Sequence, residues 1–65
     1  MSEEERVMAA ADYCWKSQGY ADVKLICMMT GVPEPIITNV IMSSKQFAET
    51  RRGGQFIKKP AGRSD

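Results

Sequence analysis

The sequence contains no histidine, so the side chain best suited to moving protons near neutral pH is missing. Acid–base work would fall to a carboxylate, a lysine or a cysteine. No close carboxylate pair, glycine-rich phosphate loop or nucleophile–base arrangement is visible. The chain is therefore not expected to be an enzyme or to need a cofactor. It has only two cysteines, Cys14 and Cys27. Two thiols without histidine do not complete a four-ligand zinc site, so no metal is expected. A Cys14–Cys27 disulfide competes with a reduced pair acting as small core residues. Both cysteines sit in helix-like apolar patterns, which favours the reduced pair. No apolar run approaches the roughly 18 residues a membrane span requires. Ser2-Glu3-Glu4-Glu5 lacks the basic start of a signal peptide. The expectation is a soluble, cytoplasmic chain with no membrane partner and no evident small-molecule substrate.

Net charge is small as well, at +1. It is unevenly spread. Residues 1–32 hold three basic and five acidic side chains, whereas residues 33–65 hold six and three. One end is thus suited to meeting a polyanion, against the alternative of chance in a short chain. The 65 residues make one domain, expected over residues 1–60 with a disordered tail at 61–65. At this size folding buries only about 60% of the unfolded surface, so local propensity must contribute strongly.

Local signals are clear. Ser2 and Glu5 fit a capping box. Val7, Ala11, Cys14, Trp15 and Gln18 recur at three- and four-residue steps, and Gly19 follows, which predicts a first helix ending at Gln18. Tyr20 and Ala21 read as a short connection. Asp22 is a good N-cap for a second helix, with Val23, Ile26, Cys27 and Met29 on its buried side and Gly31 just past its end. Pro33 and Pro35 exclude a helix interior but suit a first turn. A third helix is predicted from Pro33 or Glu34 to Ser43 or Ser44. Its β-branched run also fits a strand, but the Ile36–Val40 and Ile37–Ile41 spacings favour the helix.

Gly53-Gly54 is a two-residue hairpin signal. Pairing around it sets Arg52 opposite Gln55, Arg51 opposite Phe56, Thr50 opposite Ile57 and Glu49 opposite Lys58. One face then carries Phe47 and Phe56. Pro60 ends the ribbon. Trp15 and Tyr20 read as packing residues, as do Met28, Met29 and Met42, with a soft partner-binding methionine patch as the alternative. Tyr13 is a candidate for a dimer face.

The joint between helices two and three carries the most information. Cys27 is small enough for a steep crossing, Gly31 accepts positive φ in a tight turn, and Val32 plugs the core. Ile37 and Val40 are the expected anchors of helix three. Residues 23–42, above all Thr30-Gly31-Val32-Pro33-Glu34, resemble the helix-turn-helix of bacterial and phage repressors. With helix one and the Gly-Gly hairpin added, about 55 residues resemble a compact winged helix like the DNA-binding domains of IclR-type regulators.

The resemblance implies a mainly α fold with a small β-hairpin, a three-helix winged helix-turn-helix. It implies a small DNA-binding transcriptional regulator whose partner is double-stranded DNA, acting as a homodimer or beside a partner protein. Helix three would be the recognition helix, presenting Glu34, Pro35, Thr38, Asn39 and Met42, with Lys45 after them. Asn39 would meet adenine, Glu34 cytosine, and Thr38 a base or phosphate. The hairpin would be the wing, with Arg51, Arg52, Gln55, Lys58 and Lys59 toward phosphates or a minor groove. Two features depart from the family: helix three has no Arg or Lys before Lys45, and the run from Val40 to the wing is about one helical turn short. Solvated edge-strand charges are the plain alternative for the wing cations. A winged-helix module that binds a protein and no DNA is the rival function.

Overall fold

The computed structural model describes residues 2–59. Pro60 and the tail predicted at 61–65 lie outside the described residues. The chain runs α1 (Glu3–Gln18), β1 (Ala21–Asp22), α2 (Val23–Thr30), α3 (Glu34–Ser44), β2 (Phe47–Glu49) and β3 (Gln55–Lys58). It is mainly helical, with a three-stranded antiparallel sheet in the order β1-β3-β2.

Each helix begins and ends where its caps dictate. At α1, the Ser2 hydroxyl accepts from the Glu5 N–H and the Glu5 carboxylate accepts from the Ser2 N–H, so two otherwise unpaired donors are satisfied together. Gly19, at φ 87°, closes the helix by donating to the Trp15 carbonyl. Asp22 caps α2 by accepting from the Lys24 N–H at 2.9 Å. Pro33 precedes α3 and Pro35 sits in its first turn, where proline removes no helical hydrogen bond. The strand alternative for this segment is thereby set aside. Lys45 ends α3 at φ 62°, a left-handed conformation that glycine usually supplies.

The core lies between the helices and one face of the sheet. It consists of Val7, Ala10, Ala11 and Cys14 from α1, Ala21 and Val23, Ile26 from α2, Val32 from the turn, Ile37 and Ile41 from α3, and Phe47 and Phe56 from the sheet. Trp15, Cys27 and Val40 pack against it while remaining partly exposed. Ile41 therefore takes the anchoring place expected of Val40, because four residues after Ile37 is one full turn on the same face. Both cysteines are free. The methionines depart from the packing expectation: Met28 is 81%, Met29 46% and Met42 55% exposed.

The sheet corrects two expectations. Ala21 and Asp22 are a strand as well as a connection, paired with Phe56 and Gln55. The hairpin register also differs. Phe47 faces Lys58, Ala48 faces Ile57 and Glu49 faces Phe56, two residues away from the predicted pairing. The Thr50 N–H bonds to the Gln55 carbonyl and the Gly53 N–H to the Thr50 carbonyl, so Arg51, Arg52, Gly53 and Gly54 form a four-residue loop. Two bonds between the β2 and β3 sides hold this register: the Lys59 N–H donates to the Gln46 carbonyl at 3.0 Å and the Gly54 N–H to the Glu49 carboxylate at 3.2 Å. β3 is fixed on its other side as well. β1 docks on β3, with the Val23 N–H donating to the Gly54 carbonyl at 2.9 Å, and Lys58 reaches back to Asp12. A shift of two leaves every side chain on its original face, which is why Phe47 and Phe56 still point into the core.

Candidate nucleic-acid interface

The site is built on the joint between α2 and α3, whose axes turn through 112°. Three residues make the turn. Gly31 adopts φ 77° and donates to the Cys27 carbonyl at 2.8 Å. Val32 is buried and its N–H donates to the Thr30 hydroxyl. That hydroxyl in turn donates to the Ile26 carbonyl at 2.8 Å. Thr30 thus ties the end of α2 to the turn, a role the sequence reading missed. The Pro33 carbonyl then accepts from the Ile36 and Ile37 N–H groups and starts α3.

α3 buries Ile37 and Ile41 and leaves Glu34, Pro35, Ile36, Asn39, Met42 and Ser43 exposed. Thr38 is half-buried. Glu34 is the only charged residue of this helix. Lys45, exposed, follows at its end.

The start of α3 and the hairpin loop come together. Asp22, Val23, Lys24, Glu34, Arg52, Gly53, Gly54 and Gln55 line a cleft of about 330 Å³. Of the predicted site residues, the fold brings Glu34, Arg52 and Gln55 into this one place. It adds Lys24, which the sequence reading did not single out because its relation to the hairpin depends on β1 docking on β3. Arg51 is exposed in the same loop. The Glu49 carboxylate accepts from the Gly54 N–H at 3.2 Å, which braces the loop from inside.

Lys58 is placed differently. Its ammonium lies 2.9 Å from Asp12 of α1, on the face that carries Phe56. The expected Glu49–Lys58 pair is absent because Glu49 faces Phe56. Lys59 is exposed and its N–H donates to the Gln46 carbonyl. Among the described residues, the cations of this surface outside any salt bridge are Lys24, Arg51 and Arg52 at the cleft and its loop, Lys45 at the far end of α3, and Lys59 just past β3, while Arg6 donates to the Thr30 carbonyl at the joint.

This surface offers hydrogen-bonding and apolar groups on a helix, flanked by cations in the first turn of α2, at the end of α3 and on the hairpin loop. Among the described residues, no group of three or more His, Cys, Asp or Glu is placed to hold a metal ion. No single helix among them is long and apolar enough to cross a membrane. Compared with family models, with curated proteins and with solved structures, the chain matches none.

Proposed function

We propose that the chain is a winged helix-turn-helix that binds double-stranded DNA and regulates transcription. In this reading α3 lies in the major groove and the Arg51–Gly54 loop is a reduced wing on the phosphate backbone. The observation that carries it is the 112° joint at Gly31, which leaves the outer face of α3 free beside a cationic loop. The element order and the β1-β3-β2 sheet agree with it. The missing helical turn before the wing has a counterpart in strands of three and four residues. The phosphate contacts are assigned to Lys24, Lys45, Arg51, Arg52 and Lys59; Lys58 is left out because Asp12 neutralises it. A module this small covers little DNA, so two copies or a partner protein would share a site.

If four or five phosphates are neutralised, log Kd should change with log salt at a slope of magnitude about 4. Fluorescence anisotropy on random duplex DNA measures it. Arg51→Glu with Arg52→Glu should abolish binding at physiological salt. A flat salt response, or an unaffected variant, would refute the reading.

One observation favours the rival, a protein-binding module. The outer face of α3 is uncharged and partly apolar, and Met28 and Tyr13 are also largely exposed. Under that reading the Arg51/Arg52 reversal leaves partner binding through α3 intact.

A further inference from the structure

We infer that α3 reads A·T base pairs, using one amide and two apolar side chains. The inference rests on the DNA-binding reading above and adds to it the class of sequence recognised. On a helix of 3.6 residues per turn, Asn39 lies opposite Ile37 and Ile41, with Pro35 and then Met42 to one side of it and Ser43 and then Ile36 to the other. All five are exposed. Asn39 stands in the middle of this face, flanked by Ile36 at 39% and Met42 at 55% exposure.

The chemistry of that face selects among bases. Guanine is read best by Arg or Lys at O6 and N7, and α3 has neither between Glu34 and Ser44. Glu34, the one group suited to cytosine N4, lines the cleft beside Arg52 and stands off the outer stripe. Asn39 remains. Its amide matches adenine, donating to N7 and accepting from the N6 amino group. The complement of adenine carries a 5-methyl group in the major groove, the one base feature there that an aliphatic side chain recognises.

Spacing fits the same target. Ile36 and Met42 each lie three residues from Asn39, about 4.5 Å along the helix axis. Stacked base pairs are about 3.4 Å apart. With Asn39 on an adenine, Ile36 and Met42 therefore reach the pairs on either side. The target is a tract of about three A·T pairs with thymine methyls flanking the central adenine. Contact with those methyls also removes from water two large apolar side chains that the fold leaves uncovered.

The test uses the intact chain and three duplexes of equal length: A·T only, G·C only, and the A·T sequence with uracil in place of thymine. Uracil lacks only the 5-methyl, so base pairing is kept and the protein is unchanged. Anisotropy should show the A·T duplex bound about tenfold more tightly than the G·C duplex. Uracil should weaken binding about fourfold for each methyl contacted. Ile36→Ala with Met42→Ala should erase the difference between thymine and uracil. Equal binding of the thymine and uracil duplexes, or preference for G·C, would overturn the inference while duplex binding itself stood. No binding to any duplex at low salt would overturn both.

Discussion

Asp12 holds two cations, Lys58 at 2.9 Å and Lys16 at 3.2 Å. The hydrogen bond from Lys58, then that from Lys16, pulls its carboxyl below the ordinary aspartate value. A carboxylate with a depressed folded-state pKa adds stability that is full above its unfolded pKa and lost as pH falls through the folded one. The loss therefore belongs below about pH 4. Asp12→Asn should lower stability at pH 7 and converge with the parent chain in strong acid. Urea unfolding at neutral and acidic pH measures this, and an unchanged gap at low pH would contradict it. Cys14 shows the opposite effect of environment. Burial pushes its thiol pKa up, with a smaller opposing effect from the backbone at Asp22. The thiol stays protonated near neutral pH and points its weak donor at Met29 Sδ, 3.9 Å away. The Lys58 and Met29 contacts follow from long-range packing, at 46 and 15 residues from their partners, whereas Lys16 lies one helical turn from Asp12.

At the scale of elements, the joint between α2 and α3 depends on Gly31. A Cβ built there would meet nothing within 4 Å, so any cost of substitution is conformational and not steric. Gly31→Ala should destabilise the chain by about 1–2 kcal/mol, the penalty for an L-residue at positive φ. Thermal unfolding checks this, and a neutral effect would show that the turn tolerates another geometry. The helices and their ends were legible in the sequence because their signals are local: Ser2 with Glu5, Asp22, Gly19, Gly31 and the two prolines. The sheet was legible only in part. Ala21-Asp22 is too short to show alternation, and its partners Phe56 and Gln55 lie more than thirty residues on. The register was ambiguous because loops of two and of four residues put Phe47 and Phe56 on the same face. The Gly54–Glu49 and Lys59–Gln46 bonds accompany the four-residue loop, and residue type alone does not distinguish them from the two-residue alternative. The same limit hid Lys24, whose place beside Arg52 exists only after the sheet forms.

At the scale of the molecule, one small apolar core holds three helices to three strands; among the described residues no polar residue is wholly buried, and the Thr50 hydroxyl is the one side-chain polar atom buried without a partner. Phe56 is the largest fully buried side chain, and its strand contacts both neighbours of the sheet. Phe56→Ala should cost about 3–5 kcal/mol. A single core in a chain this short supplies about that much in total. The variant should be largely unfolded at 25 °C by circular dichroism, and a cooperative melt near that of the parent would contradict this account of the core. On that frame α3 is held by its inner face, and its outer face and the loop beside it remain free. The proposed function requires these two surfaces to meet DNA together. An amide NMR titration of the intact chain with duplex DNA tests it most directly. Shifts should concentrate at residues 34–43 and 51–55, with Lys24 joining them. Shifts confined to the groove lined by Ala9, Tyr13 and Met29, or no shifts at all, would contradict it.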